Sequence, residues 1–282
     1  MQLLDLFPHW HRRRLLIGVV HLPALPGSPG YGGSMEPLLK SALADARALM
    51  EGGADGIIVE NFGDRPFFAE SVPAETIAAL TRATQIVCDA VGELPVGVNV
   101  LRNDARSALG IVAATDAQFL RVNVHVGAMV TDQGLIQGHA AQTLRARDLL
   151  CPGAPILADV HVKHAVPLGS ESLEQAAEDT FHRGLADALV ISGAGTGKAP
   201  DLSRIARVRA ALPEAPLMLG SGLAVEQAES LCAGIDAAIV ASSLKIDGVL
   251  RNPVDPERVE RLRRVFEDMG PPPLARRGHG AG

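Results

Sequence analysis

Aromatic side chains are scarce in this chain of 282 residues, which has one Trp, one Tyr and seven Phe. Proteins that bind single-stranded nucleic acid stack successive bases on such rings, and the rings for a platform are missing here. Positive charge is short as well. Lys and Arg total 26 against 32 Asp and Glu, the formal net charge is −6, and only four of the 26 are Lys. No basic block is long enough to attract a phosphate backbone or an anionic lipid surface. Cysteine is sparse: Cys88, Cys151 and Cys232 are odd in number, widely spaced and form no C-x-x-C, so a disulfide framework is not expected. No apolar run approaches the roughly 20 residues that span a bilayer. The first eight residues lack the basic-then-apolar order of a signal peptide and are interrupted by Asp5 and Pro8. These absences predict a soluble cytoplasmic protein whose partner is a small molecule, not nucleic acid or membrane.

What the chain does have is alternation. Strand-like segments lie at 15–21, 55–61, 95–100, 118–125, 155–163, 187–192, 216–221 and 236–242. Most are rich in Val, Ile and Leu until their last residues, as parallel strands buried on both faces must be. Segments with helical spacing fill the gaps at 35–52, 74–91, 104–115, 138–150, 170–184, 201–212, 224–234 and 255–269. Ser170 with Glu171, and Asp201, suit helix starts, while Gly52, Gly184 and Gly234 suit helix ends. Eight strands alternating with eight helices predict a single-domain (β/α)₈ TIM barrel over residues 15–269, with an open doubly wound sheet as the alternative. Residues 1–14 form an extension that either closes the barrel bottom or stays loose. Residues 270–282 are rich in Pro and Gly and are expected to be disordered.

Two of the strand segments carry unusual side chains. In Phe119-Leu120-Arg121-Val122-Asn123-Val124-His125, the residues Arg121, Asn123 and His125 fall on one face. In Ala158-Asp159-Val160-His161-Val162-Lys163-His164, the matching set is Asp159, His161 and Lys163. These groups hold charge, titrate or hydrogen-bond in two directions, which a merely solvated face does not require. Active sites of such barrels lie at the C-terminal strand ends. The same end gathers His21, Glu60, Asn61, Asn99 and Ser192. For any one Asn or Ser, satisfying loop backbone is the more common role, so the signal lies in their convergence.

Three loops after strands suit an anion. They are Gly220-Ser221-Gly222, Ser242-Ser243, and the run from Ser192 and Gly193 to Lys198. Small residues let backbone N–H groups approach phosphate oxygens, although glycines in tight βα turns would look the same. The run from Gly193 spaces its glycines unlike a P-loop, so nucleoside triphosphate binding is not expected. No cofactor is expected. A divalent metal near His161, His164, Asp159 and His125 is conceivable but lacks a defined set of three ligands. Lys163 suits a Schiff base if burial lowers its pKa, yet neutralising Asp159 or an anionic substrate is the simpler role for a lysine at neutral pH. No G-x-S-x-G elbow is present.

The residues also carry a resemblance. The run from Gly18-Val19-Val20-His21-Leu22-Pro23 to Pro29 resembles the opening signature of the BtpA/SgcQ family. So do Glu60-Asn61-Phe62-Gly63-Asp64, Gly97-Val98-Asn99-Val100-Leu101-Arg102-Asn103-Asp104, Arg121-Val122-Asn123-Val124-His125 and Ala158-Asp159-Val160-His161-Val162-Lys163-His164. Gly220-Ser221-Gly222 and Ser242-Ser243-Leu244-Lys245 complete a similarity that runs over about residues 15–268. The resemblance implies a barrel of the ribulose-phosphate-binding type. Its cyanobacterial branch is associated with photosystem I biogenesis, and its SgcQ branch with a nucleosidase activity.

Together these readings predict an enzyme using acid–base chemistry on a small phosphorylated sugar or nucleoside-like substrate: a nucleosidase, isomerase or lyase. Asp159, His161, Lys163, Glu60 and His125 would carry the chemistry. His21, Asn61, Asn99, Arg121, Asn123 and Ser192 would hold the substrate, and Gly193, Gly220, Ser221, Gly222, Ser242 and Ser243 its phosphate. A non-catalytic photosystem I factor and a sensor of a phosphorylated metabolite are the alternatives. A homo-oligomer is suggested only by the commonness of symmetric assemblies.

Overall fold

A computed structural model describes residues 3–192 and 202–278 of the chain. Among them the strands are β1 (Leu15–His21), β2 (Gly56–Glu60), β3 (Val96–Asn99), β4 (Phe119–Val122), β5 (Ala128–Thr131), β6 (Gly134–Gln137), β7 (Ile156–Val160), β8 (Ala165–Pro167), β9 (Ala188–Ile191), β10 (Leu217–Leu219) and β11 (Ala237–Val240). Eight of these are parallel and close into a barrel in the order β1-β11-β10-β9-β7-β4-β3-β2. Because β1 pairs with both β2 and β11, the sheet has no edge, and the open doubly wound alternative falls. The helices are α1 (Glu36–Glu51), α2 (Ala74–Val91), α3 (Ala105–Ala114), α4 (Ala140–Leu150), α5 (Leu173–Glu178), α6 (Leu202–Ala211), α7 (Ala228–Leu231), α8 (Pro256–Asp268) and α9 (Pro273–Gly278). The fold is a (β/α)₈ barrel.

Strand periodicity sorts the barrel residues into two layers. Leu16 and Val20, Ile57 and Val59, Leu120 and Val122, and Leu189 and Ile191 point outward into one core with the helices. Ile17 and Val19, Ile58, Phe119, Leu157, Val190, Met218 and Ile239 point inward and pack with Leu3, Leu6 and Phe7. The N-terminal extension therefore closes the barrel bottom, with Phe7 set edge-on to Phe119 at a ring separation of 6.0 Å. Two residues further along each inward row, chemistry replaces hydrocarbon. Val19 is followed by His21, Ile58 by Glu60, Phe119 by Arg121, Leu157 by Asp159 and Val190 by Ser192. An inner face that must be filled at the bottom and can open at the top has this gradient as its natural sequence.

Several expectations change. The strand segment 118–125 stops at Val122 and 155–163 at Val160. Beyond them the chain builds a small antiparallel sheet, ordered β6-β5-β8, over its own cluster of Val124, Met129, Ile136 and Val162. Extended β4 and β7 would have denied the chain that second layer, which is why the alternation of face ends early. Helix 170–184 starts at Leu173 under a Ser172 cap whose hydroxyl accepts from Gln175 N, so Ser170 and Glu171 precede it. It ends in a wider π-helical turn, Asp179–Arg183. Asp201 lies outside the described residues. The tail, expected to be disordered, forms α9 over Pro273–Gly278. Leu274 N donates to Asp236 Oδ1 and Ala275 is buried, because Asp236 at a strand start needs partners there. The buried thiols of Cys88 and Cys232 are pushed up to about 12 by desolvation, which leaves them unreactive. No helix among the described residues is long and apolar enough to cross a membrane.

Gly97 faces Phe119 inside the barrel, where an added Cβ would lie 2.3 Å from the ring. Gly97→Ala should therefore destabilise the fold by about 1–3 kcal/mol through overpacking. Combining it with Phe119→Leu should recover part of that loss, as read from urea unfolding of the two single variants and the double variant.

Candidate active site

A cavity of about 390 Å³ opens at the C-terminal ends of the barrel strands. In a closed ring of eight, strands four places apart face each other, so β7 lies across from β1 and β11 across from β4. Lys163, after β7, thus faces the His21 side, and Ser242 and Ser243, after β11, face the Arg121 side. All five line the cavity, as do Glu60, Asn123, Gly220, Ser221 and Gly222. Gly220 keeps the middle open: a Cβ there would sit 2.5 Å from Ser192 Oγ and 3.4 Å from an Arg121 guanidinium nitrogen.

The two carboxylates are engaged differently. Asp159 accepts from Arg121 Nε at 3.1 Å and from its NH2 nitrogen at 3.0 Å, a bidentate pair, and from Asn123 Nδ2 at 2.8 Å. Its side chain has no exposed surface. Burial works against the Arg121 charge, but the negative charges of Asp159 and Glu60 outweigh it and raise the guanidinium pKa. Glu60 accepts from Asn99 Nδ2 at 2.6 Å and lies 3.3 Å from His21 Nε2. Burial by itself would raise the Glu60 pKa. The hydrogen bond from His21 and the positive fields of His21, Arg121 and Lys163 reverse that and hold it at about 2. The His21 ring stacks on Phe62 at 4.3 Å, while Arg65 covers the Phe62 ring at 4.5 Å.

Lys163 differs from its neighbours. Its side chain makes no hydrogen bond and has no carboxylate within 4.0 Å among the described residues. Asp159, which the sequence reading offered it as a partner, is taken by Arg121. Desolvation lowers the Lys163 pKa, the nearby charges of Arg121 and Arg102 lower it further, and Glu60 and Asp159 only partly compensate.

The remaining expected residues are dispersed. Asn61 is fully buried and bonds Asp64 and both polar groups of the Leu101 backbone, so it ties loops together. Asn99 stands behind Glu60. The His125 ring does not join the Arg121 face, because β4 has already ended: its Nε2–H donates to Gly184 O at 2.8 Å, and burial lowers its pKa. His161 adopts a left-handed backbone (φ 51°), which turns it into a second, much smaller cavity with Glu171 and Thr180. Asp159 borders that second cavity and is screened from the main one by Arg121. Ser192 Oγ is buried beneath Gly220 with no partner among the described residues. Gly193 lies outside the described residues. Ser221 Oγ also lacks a partner there, whereas the Ser243 hydroxyl donates to Leu223 O and the Ser243 carbonyl accepts from Arg258. The Ser242-Ser243 loop is fixed from behind by Lys245, whose ammonium is buried against Asp45.

Sequence reasoning passed over Phe62, Arg65, Arg102 and Asp132, which all line the cavity. Phe62 and Arg102 fall inside segments that carry the family resemblance, and all four sit in loops whose direction no periodicity reveals. Among the described residues, no three His, Cys, Asp or Glu side chains come together to hold a metal ion.

A barrel with a polar cavity at its strand ends and small-residue loops after its last two strands is the architecture of many enzymes. In solved structures the fold is matched by thiamine phosphate pyrophosphorylase from Pyrococcus furiosus (TM-score 0.56, 15% identity, 92% of this chain and 98% of that one). It is matched too by N-(5'-phosphoribosyl)anthranilate isomerase from the same organism (TM-score 0.55, 16% identity, 90% and 99%). At those identities the likeness concerns the fold. The family model for the BtpA family matches residues 12–268, and the chain belongs to that family. Photosystem I biogenesis protein BtpA of Synechocystis is 44% identical over 259 residues, covering 91% of this chain and 89% of the relative. A Thermococcus kodakarensis protein is 42% identical over 257 residues, covering 91% and 97%.

Removing one partner of the Arg121–Asp159 pair strands a charge in the interior. Arg121→Met should cost about 3–5 kcal/mol in urea unfolding, and adding Asp159→Asn should restore much of it. A double variant no more stable than Arg121→Met alone would show that the pair is not coupled.

Proposed function

We propose that this protein is an enzyme that anchors a small phosphorylated substrate and moves a proton on it. The observation that carries this reading is one cavity with two unlike parts. Ser221, Gly222, Ser242 and Ser243 offer backbone N–H groups and Ser221 a hydroxyl without a partner among the described residues, suited to phosphate, while Gly220, whose own N–H donates to Ile191 O at 2.8 Å, leaves the space beside them open. The rest of the cavity offers the Glu60–His21 pair and, facing it from across the barrel, Lys163. A Glu60 carboxylate that stays ionised accepts from Nε2 and orients the imidazole, which leaves Nδ1, without a partner among the described residues, as the nitrogen that exchanges a proton. Arg121 supplies fixed positive charge for an oxyanion, held in place by Asp159 and Asn123.

This arrangement favours isomerisation or elimination over cleavage of a glycosidic bond. Glycoside hydrolysis uses two carboxylates flanking the scissile bond, and Asp159, the second one expected, is sealed behind Arg121. Asp159 and Asn123 act here as positioning residues. His125, His161, Asn61 and Asn99 serve the scaffold around the site. A role as a photosystem I factor is favoured by one observation, the 44% identity to the Synechocystis protein of that name. An assembly factor needs no unpaired lysine beside an ionised carboxylate, which supports the enzymatic reading over it.

Ser221→Asp should abolish binding of inorganic phosphate by calorimetry, since it puts a negative charge where the anion sits. In a panel of sugar phosphates, His21→Asn should lower kcat by about 10²–10⁴ with KM little changed. Unaltered turnover would remove His21 from the mechanism.

The depressed Glu60 pKa also has a stability signature. A carboxyl ionised more easily in the folded state contributes stability that is full above its ordinary value of 4.5 and fades as pH falls toward about 2. The full contribution is on the order of 3 kcal/mol, by the usual conversion of a pKa shift. The stability gap between wild type and Glu60→Gln should therefore narrow steadily on acidification in urea titrations. A gap independent of pH would contradict the ionised pair.

A further inference from the structure

We infer that Lys163 is an imine-forming lysine, and that the substrate class is therefore phosphorylated aldehydes and ketones. The inference deepens the functional reading above and rests on its phosphate anchor.

The geometry separates Lys163 from the other lysines. Lys245 is buried against Asp45, Lys40 is exposed on α1, and Lys198 lies outside the described residues. Of the three described lysines only Lys163 lines the cavity, half-buried, with no polar partner for its ammonium among the described residues. Its backbone is held firmly. Val162 before it is buried in the core of the small sheet, and the Lys163 carbonyl accepts from Arg102 at 2.8 Å. It is also bracketed by two non-glycine residues in the left-handed region, His161 (φ 51°) and His164 (φ 59°). Such conformations are costly for residues with a Cβ and persist where surrounding structure enforces them, commonly at functional sites. Here they carry the chain out of β7 so that Lys163 enters the cavity while His161 leaves it.

A lysine meant only to neutralise charge would be paired with a carboxylate. The carboxylates around it are otherwise engaged, Asp159 by Arg121, Glu60 by His21 and Asn99, and Asp132, which also lines the cavity, by Gln133, and none lies within 4.0 Å of the Lys163 ammonium. The nearest strong charges that disfavour protonation are cationic, Arg121 and Arg102, and desolvation acts in the same direction. An uncommitted amine beside guanidinium groups is the setting in which a lysine becomes a nucleophile at neutral pH.

The step balances without any further reagent. The Nζ lone pair adds to the substrate carbonyl carbon, and the carbonyl π pair moves to oxygen, which takes up a proton to give a carbinolamine. Loss of that hydroxyl as water, with departure of the remaining N–H proton, leaves the C=N bond of the imine. Amine and carbonyl thus yield imine and water, with nothing oxidised or reduced. His21, across the barrel from Lys163, is the group to take the proton released from nitrogen and return it to the departing hydroxyl. A proton taken up at the imine nitrogen then acidifies the adjacent C–H bond, which suits the isomerisation or elimination proposed above.

The test uses the full chain with pyridoxal 5'-phosphate as probe and pyridoxal as its phosphate-free counterpart. Imines are reduced with borohydride and located by peptide mapping over the four lysines and the terminal amine. The inference expects label on Lys163 from the phosphorylated probe, loss of that label with excess inorganic phosphate, and its absence in Lys163→Arg. Label spread over Lys40 and the terminal amine with Lys163 spared, in protein that binds phosphate calorimetrically, would overturn the imine and leave the phosphate anchor standing. Lys163 labelled equally by both probes, without protection by phosphate, would support the amine and sink the anchor. Neither label on Lys163 nor phosphate binding would sink both.

Discussion

The bidentate pair between Arg121 and Asp159 sits inside the barrel mouth, where the carboxylate has no exposed surface and the guanidinium meets only the cavity. A buried carboxylate has to be met by donors, and Arg121 with Asn123 supplies three hydrogen bonds to it. That arrangement decides much else. It removes Asp159 from the cavity surface and fixes a guanidinium there instead. It deprives Lys163 of its obvious counter-ion and adds a positive field that helps keep Glu60 ionised. The chemistry available to the cavity follows from which charge was allowed to pair with which.

The barrel was legible because closure imposes a period. Residues buried on both faces leave uninterrupted Val, Ile and Leu, and each strand has to finish before polar side chains appear. Ile17-Gly18-Val19-Val20-His21 and Gly56-Ile57-Ile58-Val59-Glu60 announce their own ends. The convergence of His21, Glu60, Arg121 and Lys163 was readable for the same reason, as were the Gly220-Ser221-Gly222 and Ser242-Ser243 loops that line the cavity.

The partnerships were not legible. Period two places Arg121, Asn123 and His125 on one face, but it holds only while the backbone stays extended, and β4 stops at Val122. The same assumption put His161 beside Lys163, where a left-handed backbone separates them. Spacing also cannot say that Asn61 spends its amide on the Leu101 backbone rather than on a ligand. A strand period fixes direction along the chain. Which polar group satisfies which is decided across the ring, between residues far apart in sequence.

The small sheet of β5, β6 and β8 joins the loop after β4 to the loop after β7, through Met129 opposite Pro167 and Thr131 opposite Ala165. Asn123 and Lys163 therefore hang from one shared roof, while Arg121 and Asp159 belong to the walls beneath. Val130, Leu135 and Val166 are exposed on this sheet and touch none of the barrel's interior chemistry. Substitutions there can tilt the roof without disturbing the walls. Such a substitution would move Lys163 within the cavity while leaving the buried Arg121–Asp159 pair beneath it in place.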